Sequence, residues 1–227
     1  MKKVTLALVG LAFAGSCAFA QTNQVLSRNA VGYVKVEVDK GELALVRMDF
    51  ENLQGVDNTV TNLIGDQLPS GSSVLLWDKV AQQYTAENKI RSGWSPGTNV
   101  ITRGTSMFLK PSATAASNTY TVFLMGEVPD RFTAPTTTVL GVTGLNPLGF
   151  PYPVQVAWTN TGLAKNSVSG DSLLVWDQNI QNYVAYNRTR SGWGAGETLV
   201  LQPGQGFWFR NVTSTQDWSE VKPYTWP

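Results

Sequence analysis

The chain contains no histidine, and its single cysteine, Cys17, lies near the N-terminus. Without histidine, every histidine-based catalytic triad, general base and metal site is excluded. Charged residues make up only 15% of the 227 residues, and a formal net charge of +1 gives no basic field for nucleic acid or anionic lipid. No apolar run is long enough to cross a membrane. These absences favour a non-enzymatic protein, and we expect no cofactor, no metal, no nucleic-acid partner and no membrane span.

The first 20 residues are typical of a secretory signal peptide. Lys2 and Lys3 form a positive n-region, residues 4–14 form a short apolar h-region, and residues 18–20 (AFA) form a cleavage site. Cleavage before Gln21 leaves a mature chain without cysteine. A lipoprotein signal is the alternative, because residues 14–17 (AGSC) resemble a lipobox. We expect a secreted protein, extracellular or at the cell surface, with the periplasm left open.

An internal duplication organises the rest of the chain. Residues 70–103 align with residues 169–202 at a constant offset of 99, and 15 of these 34 positions are identical. Both copies carry the pattern W-D-x5-Y-x6-R-S-G-W, which chance does not produce twice. We therefore divide the chain into the parts that follow: signal peptide 1–20, N-terminal strand or arm 21–40, module 1 at 41–132, connector 133–138 and module 2 at 139–227.

Each copy has the composition of short β-strands, and we predict an all-β fold of two tandem homologous modules, each a small β-sandwich or open barrel. Apolar, aromatic and β-branched runs alternate with Gly and Pro turns, and no segment shows a sustained helical period. At most, residues 60–64 and 156–163 form a helical turn or two. The predicted strands are residues 74–77, 83–86, 106–110 and 120–125 in the first copy, and 173–176, 183–186, 206–210 and 218–221 in the second.

The second copy resembles a known but poorly characterised repeat. Its pattern W-D…Y…G-W…P-G-x-G-F, over residues 176–207, is similar to a β-rich repeat that often occurs in tandem in secreted bacterial proteins. Residues 145–152 (LNPLGFPY) fit the start of that repeat, whereas the first copy departs from it with residues 103–106 (RGTS) in place of Gly-x-Gly. The resemblance implies a secreted, non-catalytic β module and brings no established activity.

Paired carboxylates are the main catalytic option that the composition leaves. Asp78 and Asp177 follow a tryptophan at equivalent places, and they could act as general acids or bases. We favour a structural interpretation, because an aspartate after a strand caps a turn by accepting bonds from backbone N–H groups. Neither Asp49 with Glu51 nor Asp171 with Asp177 has the spacing of a calcium loop.

The tryptophans are the most distinctive side chains, and four of the eight form two equivalent pairs. Trp77 and Trp176 are flanked by Leu and Val, so we predict that they anchor a core. Trp94 and Trp193 lie in glycine-containing turns, where either burial or exposure fits the sequence.

Exposed indoles would make a carbohydrate-binding module the alternative function. In that case Trp94 and Trp193 stack on sugar rings, and Arg91 and Arg190 donate to hydroxyl groups. Arg91 and Arg190 could instead stack on the two indoles, which would be a structural role. These four residues are therefore the candidate contacts for a glycan or another partner.

Both ends of the mature chain favour association. Val34, Val36 and Val38 alternate with charged residues in a half-buried strand pattern, and Tyr224 and Trp226 give the C-terminus an aromatic character. Such segments pair either within the chain or with a neighbour. Our leading hypothesis is a structural subunit that assembles with copies of itself into a filament, sheath or surface layer, with these five residues as contacts.

Overall fold

The computed structural model describes residues 30–53, 55–130, 136–140, 144–213 and 216–225. The predicted signal peptide 1–20, the start of the predicted arm (21–29) and Trp226 lie outside these described residues. The predicted all-β class is confirmed, because antiparallel strands in several sheets make up most of the regular structure and the helices are short.

The first half of the chain builds a five-stranded sheet and a separate ribbon. Its elements are β1 (Val31–Asp39), β2 (Ala44–Arg47), α1 (Val60–Ile64), β3 (Ser73–Asp78), β4 (Gln83–Ile90), β5 (Gly93–Ser95), β6 (Ser106–Lys110) and β7 (Thr119–Glu127). The sheet has the order β2-β6-β3-β4-β5. β1 pairs antiparallel with β7, from Val31 opposite Glu127 to Asp39 opposite Thr119, and forms the β1–β7 ribbon.

The second half builds a four-stranded sheet with the order β9-β14-β11-β12. Two short two-stranded ribbons, β8 with β15 and β10 with β13, also belong to this half. Its elements are β8 (Thr136–Leu140), β9 (Gly144–Leu148), β10 (Val156–Ala157), a 3-10 helix (Trp158–Asn160), α2 (Gly162–Asn166), β11 (Ser172–Asp177), β12 (Asn182–Asn187), a second 3-10 helix (Gly194–Thr198), β13 (Val200–Leu201), β14 (Phe207–Asn211) and β15 (Gln216–Glu220).

The strand pairings of the two halves correspond. The order β2-β6-β3-β4 matches β9-β14-β11-β12, and the ribbon of β1 with β7 matches that of β8 with β15. The predicted arm 21–40 therefore contains a strand that pairs within the chain, and the predicted connector 133–138 overlaps β8. The division into two tandem modules stays a prediction.

Local chemistry explains where the strands turn. The Asp78 carboxylate accepts bonds from the backbone N–H groups of Val80 (2.8 Å) and Ala81 (2.9 Å), and Asp177 accepts from that of Asn179 (2.9 Å). The two aspartates therefore hold the β3–β4 and β11–β12 turns, as the sequence predicts.

The apolar side chains form three clusters, one in each half and one between the two sheets. The first core lies under β2, β3 and β6 with α1 and the β1–β7 ribbon, and the second core lies under β9, β11 and β14. The third, which we call the inter-sheet cluster, joins the opposite faces of the two sheets. It comprises Leu43, Leu45, Leu75, Trp77, Phe108, Leu145, Leu174, Trp176, Tyr183 and Trp208. The two sheets therefore pack face to face.

Candidate functional site

Trp94 and Trp193, the predicted sugar-stacking platforms, are buried, with exposed fractions of 7% and 3%. The Trp94 indole N–H donates to the carbonyl of Gly65 (2.8 Å), and that of Trp193 donates to the carbonyl of Ala164 (3.4 Å). These carbonyls lie just after α1 and within α2, where helix-end carbonyl groups lack partners within the helix. Each indole therefore anchors a short helix to its core. Of the two possibilities that the sequence leaves open, the structure shows burial, and Trp94 and Trp193 are corrected as candidate sugar-stacking contacts.

Arg91 and Arg190, the other two candidate glycan contacts, are exposed in the turns before these tryptophans. The cation over the Trp94 ring is that of Lys89, whose Nζ lies 5.7 Å from the ring centroid. Lys89 also forms an ion pair with Asp66 (2.6 Å). The four predicted residues therefore do not form a shared platform for a sugar.

The inter-sheet cluster is built around the other tryptophan pair. The Trp77 indole N–H donates to the carbonyl of Leu145 (3.0 Å), and that of Trp176 donates to the carbonyl of Leu43 (2.9 Å). The Trp77 ring meets Trp208 edge to face at 4.8 Å, and the Trp176 ring meets Phe108 at 5.0 Å. The predicted core role therefore takes a specific form, in which each tryptophan packs against the opposite sheet.

Two glutamines at equivalent positions reinforce this contact. The Gln181 side chain accepts from the N–H of Leu43 (2.8 Å) and donates to its carbonyl (3.1 Å). Gln82 does the same to Leu145, at 2.9 Å and 3.3 Å. Both glutamines have a positive φ, 52° for Gln82 and 51° for Gln181, which turns the side chain back across the interface. The glutamine of each W-D-x3-Q sequence thus bonds to the main chain of the other half, and we call this contact the glutamine clasp.

A buried ion pair joins the halves at a second place. The side chains of Arg47 and Asp49 pair with each other and are fully buried. Asp49 also accepts from the N–H of Gly204 (2.7 Å), and Arg47 donates to the carbonyl of Tyr152 (3.2 Å), so both reach across to the second half. Burial raises the pKa of Asp49 to about 6, although the Arg47 charge opposes that shift.

A cleft of about 1050 Å³ opens between the first sheet and the loop before β6. Both acidic side chains that line it make structural bonds, since Glu51 pairs with Arg103 (2.6 Å) and Asp78 caps its turn. Lys79 also lines the cleft, and burial lowers its pKa. Both carboxylates of this cleft therefore have structural partners, one in an ion pair and one in a turn.

The outer face of the β1–β7 ribbon is unusually apolar for a solvent-facing surface. Its side chains Val31, Tyr33, Phe123 and Met125, which we call the ribbon face, are 62%, 66%, 37% and 47% exposed. The Tyr33 and Phe123 rings meet edge to face at 5.7 Å, so the side chains are continuous across the two strands. Contiguous exposed apolar side chains mark interaction surfaces more often than scattered ones do.

Val34, Val36 and Val38, the predicted N-terminal assembly contacts, lie on the opposite face of β1. Val38 is fully buried in the first core, and Val34 and Val36 pack against that core. The alternation predicts a half-buried strand, and β1 is one, but its valines form the inner face of a strand that pairs with β7 of the same chain. The prediction that Val34, Val36 and Val38 contact another molecule is therefore corrected.

The C-terminal candidate Tyr224 lies beside the ribbon face. It lines an apolar groove of about 350 Å³ together with Gly32, Tyr33, Phe50, Val128, Pro153 and Val154. Its hydroxyl donates to the carbonyl of Pro129 (3.0 Å), and partial burial raises the pKa of Tyr224 to about 12. This tyrosine therefore packs within the chain and extends the apolar surface next to Tyr33.

The apolar residues of the ribbon face are present in the sequence, but the alternating valines of β1 point to the opposite face of that strand. Tyr33 and Val31 precede the valine pattern in the same strand, and Phe123 and Met125 occupy alternate positions of β7. Only the pairing of β1 with β7, strands far apart in the chain, brings the four side chains together.

Within the described residues, no group of three or more Cys, Asp or Glu side chains could hold a metal ion. In the same part of the chain, none of the helices has the length and apolar character needed to cross a bilayer. Comparison of the whole chain with family models, curated proteins and solved structures gave no match.

Proposed function

We propose that the mature chain is a secreted, non-enzymatic structural subunit that assembles with copies of itself into an extracellular filament, sheath or surface layer. The observation that carries the proposal is the ribbon face, where four large apolar side chains on two paired strands face solvent. Burying apolar surface contributes roughly 25 cal/mol per Å², so covering this face favours association.

The surroundings of the ribbon face favour a second copy as the occupant. Lys35 and Glu37, which share the outer side of β1, already pair with each other (2.5 Å). When the ribbon face of a second copy packs on this one, apolar side chains meet apolar side chains. The lysine and glutamate beside them are already paired within each copy. Low net charge, +1 over the full chain, also favours self-association over repulsion.

The rest of the fold supports a rigid building unit. The inter-sheet cluster, the two glutamine clasps and the Arg47–Asp49 pair connect the halves at several places. A subunit whose halves are fixed in this way presents its contact surfaces in a constant relative orientation. That property is required of a subunit in a regular assembly.

The test is electron microscopy and sedimentation of residues 21–227 across a concentration series. We expect concentration-dependent fibres, tubes or sheets from the wild type, and discrete small particles from the double variant Tyr33→Lys/Met125→Lys. The matched control, Val80→Lys/Val221→Lys, changes two residues that are 96% and 77% exposed and are not part of the ribbon face, and it should assemble as the wild type does. A wild type that stays one chain in size, or equal assembly by both variants, would overturn the proposal.

A further inference from the structure

The outer edge of β12 is not covered by another strand. β12 is the last strand of its four-stranded sheet, and no described strand pairs with its outer side. Its six residues, Asn-Tyr-Val-Ala-Tyr-Asn, include no charge and no proline, and Val184 is 37% exposed. Natural proteins protect such edges with charges, prolines, bulges or a covering segment, because an open edge is a template for another strand.

The duplicated strand β4 provides an internal comparison, because another strand covers the C-terminal end of its outer edge. β5 pairs with the last three residues of β4, opposite Asn88, Lys89 and Ile90. Glu87 is buried at 1% exposure and accepts from the side chain and the N–H of Asn99, which holds the following loop against the strand. The residue at the position of Glu87 in β12 is Tyr186, and the 3-10 helix Gly194–Thr198 packs against it at Gly196, so a short helix and not a strand follows along this end of β12.

We infer that β12 pairs antiparallel with β12 of a second copy, so that two four-stranded sheets join edge to edge. An uncharged strand can lie opposite itself without like-charge repulsion, and main-chain hydrogen bonds supply the contact. β4 fits this role less well, because β5 and the Asn99 loop protect it. The inference rests on the proposed function, since it names one contact of the assembly.

This contact has a two-fold axis and closes on itself, so by itself it yields a dimer. The ribbon face lies on a different part of the molecule, on the β1–β7 ribbon of the first half. If the ribbon face also pairs about a two-fold axis, the two contacts alternate along an open chain. Edge pairing through β12 and contact through the ribbon face would together give a polymer, whereas either one alone gives a discrete pair.

Disulfide trapping tests the edge contact directly, because the chain from Gln21 onward has no cysteine. In a symmetric antiparallel pair, the residue on the axis lies about 5 Å from its own copy, within the range that a disulfide bridges. We expect Val184→Cys or Ala185→Cys to form a covalent dimer on air oxidation at low protein concentration. Thr85→Cys, the equivalent of position 184 in β4, should stay monomeric. No dimer from either β12 variant, or equal dimer from Thr85→Cys, would overturn the inference.

Charge variants separate this inference from the proposed function. In the Tyr33→Lys/Met125→Lys background we expect a dimer by sedimentation, and adding Val184→Lys should halve its mass, while adding Thr85→Lys should not. Thermal melting by circular dichroism checks that each variant is folded. If the wild type polymerises but no β12 dimer is trapped, the edge contact fails and the proposed function stands. If the β12 dimer forms without any larger assembly, the proposed function fails and the edge contact stands.

Discussion

The hydrogen bonds to Leu43 predict a non-additive loss of stability when both of their side-chain partners are removed. Trp176→Phe deletes the indole donor at 2.9 Å, but the Leu43 carbonyl keeps the Gln181 amide at 3.1 Å. We therefore expect the free energy of unfolding to fall by about 1 kcal/mol. Gln181→Met keeps the length of the side chain and deletes both of its bonds to Leu43, for a loss of about 1–2 kcal/mol.

The double variant leaves the half-buried Leu43 carbonyl and N–H without these partners. An unpaired buried polar group costs about 1–3 kcal/mol, so the total loss should reach about 4 kcal/mol and exceed the sum of the single losses by at least about 1 kcal/mol. Urea unfolding followed by tryptophan fluorescence measures the free energy of unfolding of the wild type, the two single variants and the double variant. Trp77→Phe with Gln82→Met repeats the cycle in the other half. Strict additivity in both halves would refute the clasp that we describe.

Two further predictions follow from burial. Trp94→Ala and Trp193→Ala should each lower the free energy of unfolding by about 3–5 kcal/mol, because both remove a large core side chain; thermal melts check this, and a fully stable variant would contradict the buried positions. Burial raises the pKa of Asp49 to about 6, above the usual unfolded value of about 3.9, so its protonation favours the folded state. This contribution is present at low pH and is lost as the pH rises through about 6, so the wild type should be about 1 kcal/mol more stable at pH 5 than at pH 7 in urea titrations. Asp49→Asn should remove that difference, and a wild type that loses stability from pH 7 to pH 5 relative to Asp49→Asn would show that pairing with Arg47 outweighs burial.

Local patterns in the sequence predicted the strands and turns because their causes are local. The alternating residues of β1, the run 74–77 before Asp78 and the run 173–176 before Asp177 all become strands with the expected turns. The predicted helical turn at residues 60–64 is α1, which begins after the N-cap Thr59. Period-two burial and side-chain caps depend on neighbours only a few residues away.

Contacts between distant residues could not be predicted in the same way. Trp94 stands in a glycine-containing turn, and its burial depends on α1 and on the carbonyl of Gly65, 29 residues away. The sequence predicts that Trp77 lies in a core, but the carbonyl that its indole N–H meets belongs to Leu145 in the other half. The ribbon face likewise exists only because β1 pairs with β7. A single sequence does not show which distant segments of the chain pair with each other in the fold.

The duplication helps to separate the interior contacts of the subunit from its outward ones. A contact that both halves make must use residues that both copies contain, and Trp77/Trp176 and Gln82/Gln181 meet that condition at the clasp. A contact that only one half makes must depend on positions where the copies differ. The edge of β12 is such a place, because Tyr186 replaces the buried Glu87 of β4 and no strand equivalent to β5 follows it within the described residues. The identical tryptophans and glutamines therefore account for the contact that the two sheets make twice, and the divergent edge of β12 for how one subunit would meet the next.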